Sequence, residues 1–550
     1  MLRIYDTTRN LPCFPAVPLT SLPLLYHREH LFPYTSYGGT ASVAVPRAFR
    51  MVVVENDFLR IEVAPELGGR IYSLFDKRID REILFSNPVV KPVRILPVWA
   101  FISGGMEFNF PIAHSPSSIA EVGCVTGSTG DYSFIRVGER EARTGMEWVV
   151  ELGLAEGCSA LVQRTKFRNP TNAPHPWMSW TIAAVRSTAG TEFVHPPHRV
   201  LVHDDRVRQM EWPGPGLNWD RNMQQMTALF WKPGSAPQFG VFHHDLGFGL
   251  MHLADPRQVP GKKVWTYGHG RHRDWGRATT EGDLSYAEIE SGPLLDQSEK
   301  PLFLAETECH YEEFWIPAHS REACDHVTWP NITLPPFVDG WLGWEHSGWQ
   351  REWESFRAGE GHLPKSVVVT GIPLEAALRR ELESGSPNAA EPLALWLAFH
   401  GRPAEALPLV VKGNATARRI AGLISWKGLN EPAGAVAHLE AGPLEDPIAV
   451  VELDELYAEL GATRRRAELL QRAAPHPRIT ERRADLALST GQPSEAIRLL
   501  SETEWQREHQ RYVRSALWRK AQAALGNPDA SVPDSLNEDN LAQFGAYWSA

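Results

Sequence analysis

The chain has 550 residues, with 66 acidic against 55 basic side chains, a formal net charge of −11 and no basic block. That balance argues against nucleic acid and anionic membrane as partners. Five scattered cysteines (Cys13, Cys124, Cys158, Cys309, Cys324) form no C-x-x-C pair, so they read as reduced thiols rather than a disulfide frame or zinc cage. The opening MLRIYDTTRNLPCFP has no apolar leader, and no apolar run is long enough to span a bilayer. The expected setting is the cytoplasm.

Residues 1–45 read as an N-terminal extension and 46–320 as a β domain. MVVVENDFLRIEVAPELG alternates and turns, EWVVELGLAEGCSALVQRTKFRNPTNAP reads as two strands, and YAEIESGPLL and YEEFWIPA continue the style. The 43 glycines and 43 prolines suit a fold with many turns. Residues 321–370 contain the tryptophan-rich WPNITLPPFVDGWLGWEHSGWQREW, read as a linker packed rigidly on the β domain, because a disordered linker rarely carries so many tryptophans. From 371 to 550 the grammar is helical. Pro373 sits at a helix start, Leu374, Leu378 and Leu382 share one face, and Gly385 closes the helix. GRPAEALPLV at Gly401 and GQPSEAIRLL at Gly491 repeat, with halfway markers NEPAGAVAHL and GATRRRAELL, a period near thirty residues. The expectation is a degenerate tetratricopeptide-like array whose surface could hold a protein partner or support a homodimer.

Two segments of the β domain read poorly as ordinary strands. PELGGRIYSLFDKRIDREILFSNP (Pro65 to Pro88) and FISGGMEFNFPIAHSP (Phe101 to Pro116) each break an apolar run with Gly-Gly, then present polar side chains: Arg70 in the first, Glu107, Asn109 and His114 in the second. Glycine there would let a ligand approach the backbone. Glu107, between Met106 and Phe108, is the preferred acid–base carboxylate. Glu288 with Glu290, and Glu306 with Glu308, are further pairs that could divide acid and base roles. Glu312 and Glu313 read as a solvated strand face. A plain structural alternative is a buried Arg70–Glu107 ion pair. Of 20 tryptophans, fifteen precede Ser355, a surplus that suits stacking on sugar C–H faces. Five histidines (His243, His244, His252, His269, His272) crowd one stretch. A metal shell completed by Asp245 or Asp274 is weighed and set aside, because His243 and His244 point to opposite faces of a strand. Hydrogen bonding to sugar hydroxyls is preferred for His269 and His272, beside Gly268 and Gly270. No nucleotide, dinucleotide or nucleophile-elbow motif occurs, and no cofactor is expected.

The pieces ELGGRIYSLFDKRIDREILFSNP, SGGMEFNFP and SYAEIESGPLLDQSEKPLFLAETECHYEEFWIP, in that order, resemble the galactose mutarotase-like (aldose 1-epimerase) superfamily over roughly residues 30 to 320. More closely, the chain is similar to an uncharacterised branch carrying tetratricopeptide-like helices. The resemblance implies an antiparallel β supersandwich, a multidomain β-then-α chain, and a sugar cleft on one sheet face. Epimerases of that fold use a histidine acid and a late glutamate base. Glu306 and Glu308 are the late candidates here, but Ser103-Gly104-Gly105 stands where the family has His-Gly-Gly, and HPWMSWTIAAV has Thr181 near the position of the acid. The expected function is therefore a carbohydrate-active enzyme that cleaves an oligosaccharide or glycoside through Glu107, Glu306 and Glu308. The substrate would be held by Arg70, Asn109, His114, His243, His252, His269, His272 and Trp275. A non-catalytic carbohydrate-binding scaffold is the alternative, and an aldose epimerase the third reading.

Overall fold

The structure, a computed structural model, describes residues 1–27, 30–95, 99–112, 114–269, 274–282, 284–296, 298–337, 348–539 and 541–542. The first half is two stacked antiparallel sheets. The first runs in the order Arg3–Cys13, Val45–Glu55, Leu59–Ala64, Arg70–Asp76, Met106–Asn109, Trp180–Arg186, Tyr286–Gly292, Gly261–Thr266, Thr227–Trp231, His198–His203, Val207–Trp212. The second has the order Gly123–Thr129, Tyr132–Arg140, Glu147–Ala155, Leu161–Asn169, Thr307–Ala318, Phe248–Ala254, Gln238–His243, Thr191–Val194. Alternation along each strand sends one set of side chains between the sheets. Met106, Phe108, Ala183, Ile289 and Val264 of the first sheet meet Ile135, Trp148, Leu152, Phe167 and Trp315 of the second in one buried core. The expected fold class, an antiparallel supersandwich followed by helical repeats, is the one observed.

The stretch read as an N-terminal extension is part of both halves. Its strand Arg3–Cys13 pairs with Val45–Glu55 over its full 11 residues. Beyond it, Leu25 and Phe32 enter the helical core, and the Pro23 carbonyl accepts a 2.6 Å bond from Arg419 Nη1. The Gly-Gly steps meet protein rather than open a path to a ligand. A Cβ on Gly105, at φ 71°, would collide with the Ile71 carbonyl, and one on Gly68 would press on the Ser118 backbone.

Among the described residues four helix pairs form the repeat array: Ala390–Phe399 with Pro403–Val410, Ala415–Leu423 with Pro432–Glu440, Pro447–Glu459 with Thr463–Arg472, and Pro477–Ser489 with Pro493–Glu502. Each turn needs one residue in the left-handed region. Gly401, Gly461 and Gly491 supply it at φ 72°, 67° and 74°, and Asn430 does so at 58° in the second pair. The linker divides its loyalty. Trp353, on the helix Gly348–Ala358, is fully buried in the helical core, whereas Trp329 is 51% exposed and rests edge-on against Phe314 of the second sheet. Trp341 and Trp344 lie outside the described residues. Among the described residues no helix is long and apolar enough to cross a membrane.

Candidate functional site

The face of the first sheet turned away from the core carries charge in ordered rows. One row reads Glu107, Ile182, Glu290, Lys263 and Phe230 across five neighbouring strands; the next reads Ala184, Glu288, Trp265, Ala228 and His203. Strand spacing puts the Cα atoms of Glu107 and Glu290 about 10 Å apart, with Ile182 between them. The face is rich in aromatic rings. Tyr267 stacks on Trp275 with centroids 5.0 Å apart, Tyr286 stacks on Phe85 at 5.1 Å, and the Trp275 Nε1 donates to the Tyr286 hydroxyl at 2.8 Å.

Arg70 is fully engaged at one end. Its Nη1 donates to the carbonyls of Ile102 (2.7 Å) and Gly104 (2.8 Å), and its Nη2 donates to Glu107 Oε2 at 3.0 Å. The other Glu107 oxygen lies 3.0 Å from His114 Nδ1. Burial would push the Glu107 carboxyl up, but His114 and Arg70 outweigh it and hold the group below the ordinary range. Asn109 sets this geometry indirectly. Its Oδ1 accepts from Ser115 N at 2.6 Å and its Nδ2 donates to the Trp180 carbonyl at 3.2 Å, which pins the turn that carries His114.

The opposite behaviour appears one strand beyond Ile182. Glu290 pairs with Lys263 at 2.7 Å, and the ammonium sits 4.8 Å from the Trp265 ring centroid. Burial raises Glu290 despite Lys263. Glu288, to which the Tyr267 hydroxyl donates at 3.3 Å, is raised well above the carboxylate range, by burial first and then by the charge of Glu290. One sheet face thus holds one carboxyl group shifted below the ordinary range and another shifted above it.

The helical half covers this face. Glu508–His509 pairs in parallel with Val93–Ile95, and Arg94 meets Glu508 at 3.1 Å. The His509 ring lies 5.4 Å from Trp265 and 5.3 Å from Trp275. Its Nδ1 bonds to Asp539, which also takes Arg507 at 2.6 Å and the Gln510 N–H at 2.8 Å. Burial opposes charge on Asp539, yet His509 and Arg507 hold it well below the usual range. Farther along, the Ala542 carbonyl lies 2.6 Å from His203 Nε2.

Of the residues expected from the sequence, Arg70, Glu107, Asn109, His114 and Trp275 come together here. The plain alternative of a buried Arg70–Glu107 pair is part of the same arrangement, extended by His114. His252 is elsewhere: it is buried between the sheets, 2.9 Å from Glu313, whose other oxygen accepts from Gln163 at 2.6 Å. Glu313 is therefore a core group and not a solvated one. His243 is buried against Thr191 (3.0 Å), and His244 contacts Glu192 from the other strand face at 2.8 Å. His269 belongs to Asp220, at 2.9 Å. Glu306 occupies a left-handed turn at φ 56°, and Glu308 is half-exposed on the second sheet, 2.9 Å from Lys166. Strand alternation explains this correction, because Cys309 and Tyr311 face the core and so Glu308 faces outward from the other sheet. His272 lies outside the described residues.

Lys263, Tyr267, Tyr286, His509 and Asp539 escaped the sequence reading. A lysine and two glutamates inside apolar strands were the available signal for the first sheet. Nothing local marks His509 and Asp539. Thr181 offers no replacement acid, since its hydroxyl accepts from Gln163 inside the core, at 2.7 Å. Among the described residues, Glu481, Glu508 and Glu538 lie close enough to share a metal ion. Arginines already answer them: Arg511 on Glu481 (2.6 Å), Arg478 on Glu508 (3.0 Å) and Arg514 on Glu538 (3.1 Å).

Comparison with known proteins places these features in context. The model of a family described as a domain of unknown function (DUF5107) matches residues 27–318, and a second model, described as a C-terminal domain, matches 374–521. The crystal structure of a TPR-domain containing protein from Parabacteroides distasonis ATCC 8503 is 28% identical, with a TM-score of 0.92 over 99% of each chain. A putative aldose 1-epimerase from Escherichia coli K12 is 10% identical over 49% of this chain and 99% of its own, with a TM-score of 0.35. A galactose mutarotase-like protein from Lactobacillus casei ATCC 334 is 10% identical over 48% and 99%, also at 0.35.

Proposed function

The chain belongs to the DUF5107 family, whose domain is of unknown function, and we propose that it is a carbohydrate-active enzyme cleaving glycosidic bonds by acid–base catalysis. One observation carries this reading: Glu107, whose carboxyl is held below the ordinary range, and Glu288, whose carboxyl burial pushes well above it, lie on neighbouring rows of one aromatic-rich sheet face. Two carboxyl groups driven apart in pKa by their surroundings are the requirement for simultaneous proton donation and acceptance.

In this reading Glu288 donates a proton to the leaving oxygen. Glu107, with its hydrogen-bonded partner His114, accepts a proton from the water whose oxygen bonds to the anomeric carbon as the glycosidic C–O bond breaks. Arg70 helps keep Glu107 charged where burial alone would push it up, and Lys263 offsets part of the burial of Glu290. Trp265, Trp275 and Tyr267 supply faces for sugar C–H groups. The His509–Asp539 pair would complete the enclosure, so the repeats belong to the enzyme rather than merely trailing it.

The test is a panel of sugars and glycosides incubated with the full chain and followed by NMR. New products that vanish with Glu288→Gln and with Glu107→Gln support the reading. Anomeric exchange without cleavage would replace it with epimerisation. Shifts of protein signals alone would replace it with binding.

A further inference from the structure

A cavity of about 750 Å³ opens between the sandwich and the first helical repeat. That is the size of a small-molecule site. Its walls come from both halves, which are stitched there by backbone: the N–H groups of Thr370 and Gly371 both donate to the Ala142 carbonyl, at 3.1 and 2.7 Å. An apolar wall of Leu31 and Ile112 separates it from the charged rows, because those side chains pack with Trp180 and Ile182 of the first sheet. The cavity is therefore distinct from the Glu107 site, and its ligand chemistry is independent of the activity proposed there.

Two features define its chemistry. Flat and apolar surface comes from Trp177, Trp396 and Phe399, with the His400 ring stacked on Trp396 at 3.8 Å. Positive charge comes from Arg140, Arg143 and Lys300, and among the described residues no aspartate or glutamate lines the space. Arg140 is already answered by Glu147 at 2.7 Å. The Arg143 Nε is buried and has no hydrogen-bond partner among the described residues. Arg143 also lines the cavity, so an anion entering it would find a guanidinium in its wall. Burial also pulls Lys300 down to about 8, as expected of an ammonium in poorly solvated surroundings.

We infer that this cavity is a binding site for a small organic anion, a carboxylate or a phosphate ester, carrying a flat apolar body. The ring system would lie against Trp177, Trp396 and Phe399, and the anionic group would meet Arg143 and Lys300. Because the walls belong to both halves, such a ligand would also fasten the repeats to the sandwich by mass action.

The probe is 8-anilinonaphthalene-1-sulfonate, an aromatic anion read by its fluorescence, with phenyl phosphate, phenylacetate and neutral 2-phenylethanol as competitors. Displacement by either anion but not by the alcohol is expected, and the more effective anion identifies the head group. Arg143→Gln and Lys300→Gln should each weaken the probe about tenfold or more. A measurement on the unmodified chain keeps the inference testable if those variants misfold. Acetic anhydride labelling of Lys300, referenced by mass spectrometry to the exposed Lys232, should fall severalfold when phenyl phosphate or phenylacetate saturates the protein. Unchanged Lys300 labelling with both anions, or equal displacement by 2-phenylethanol, would overturn it.

Discussion

His509 of the helical half lies edge-on to Trp265 of the first sheet, with ring centroids 5.4 Å apart and planes at 85°. The segment beyond the final repeat therefore roofs the carboxylate rows, and the roof is held by charge as well as by rings. Asp539 joins His509, Arg507 and the Gln510 N–H in one buried knot. Asp539→Ala should destabilise the protein by about 3–5 kcal/mol, the range for removing one partner of a buried ion pair. Urea unfolding followed by tryptophan fluorescence checks this; a change below about 1 kcal/mol would mean the knot is not holding the roof.

Arg70 and Glu107 should behave as one unit. Arg70→Met and Glu107→Gln each leave a buried group without its partner, so each should cost about 3–5 kcal/mol. The double variant should lose less than the sum, by about 0.5–3 kcal/mol. Strict additivity in a double-mutant cycle would show that the 3.0 Å contact carries no coupling.

Glu288 predicts the alkaline side of the activity profile. Its proton is held well above the ordinary range by burial and by the neighbouring Glu290. Turnover of any glycoside found in the panel should fall with rising pH as Glu288 deprotonates, later than an ordinary carboxyl would. Glu288→Gln should lower kcat by about 10²–10⁴ at every pH. A variant that keeps the parent's alkaline limb would remove Glu288 from the role of donor.

Stability should respond to pH through Glu139, on the core-facing strand Tyr132–Arg140, which burial pushes up from 4.5 to about 7. Between those values the folded chain binds more protons than the unfolded one, so this residue's contribution to stability falls as pH rises across that window. Glu139→Gln removes the fall. Chemical unfolding should give parent and variant similar stabilities near pH 4, with the variant gaining on the order of 3 kcal/mol by about pH 8. A gain that shrinks with rising pH would contradict the assignment.

The linker should show two different kinds of tryptophan. Trp353→Ala empties a fully buried position whose Nε1 donates to the Val367 carbonyl at 3.0 Å, and should cost about 3–5 kcal/mol. Trp329→Ala, at an exposed ring, should cost about 1 kcal/mol or less. Thermal unfolding of the two variants compares them directly.

Some of this molecule is local in origin and could be read without coordinates. The alternation in MVVVENDFLRIEVA, the turn glycines of the repeats and the apolar spacing of Leu374 and Leu378 act between residues close in the chain, so pattern alone announced strands, helices and their order. Glu107 was legible for the same reason, since a carboxylate between Met106 and Phe108 declares a buried charge wherever the strand ends up. Its companions were not. Which sheet face a late glutamate occupies depends on strand parity and pairing partner, and by that test Glu288 and Glu290 share a face with Glu107 while Glu308 faces outward from the other sheet. The contribution of His509 and Asp539 depended on the curl of an entire helical array back onto the first sheet. That placement arises from summed packing between distant segments, and no short stretch of sequence encodes it.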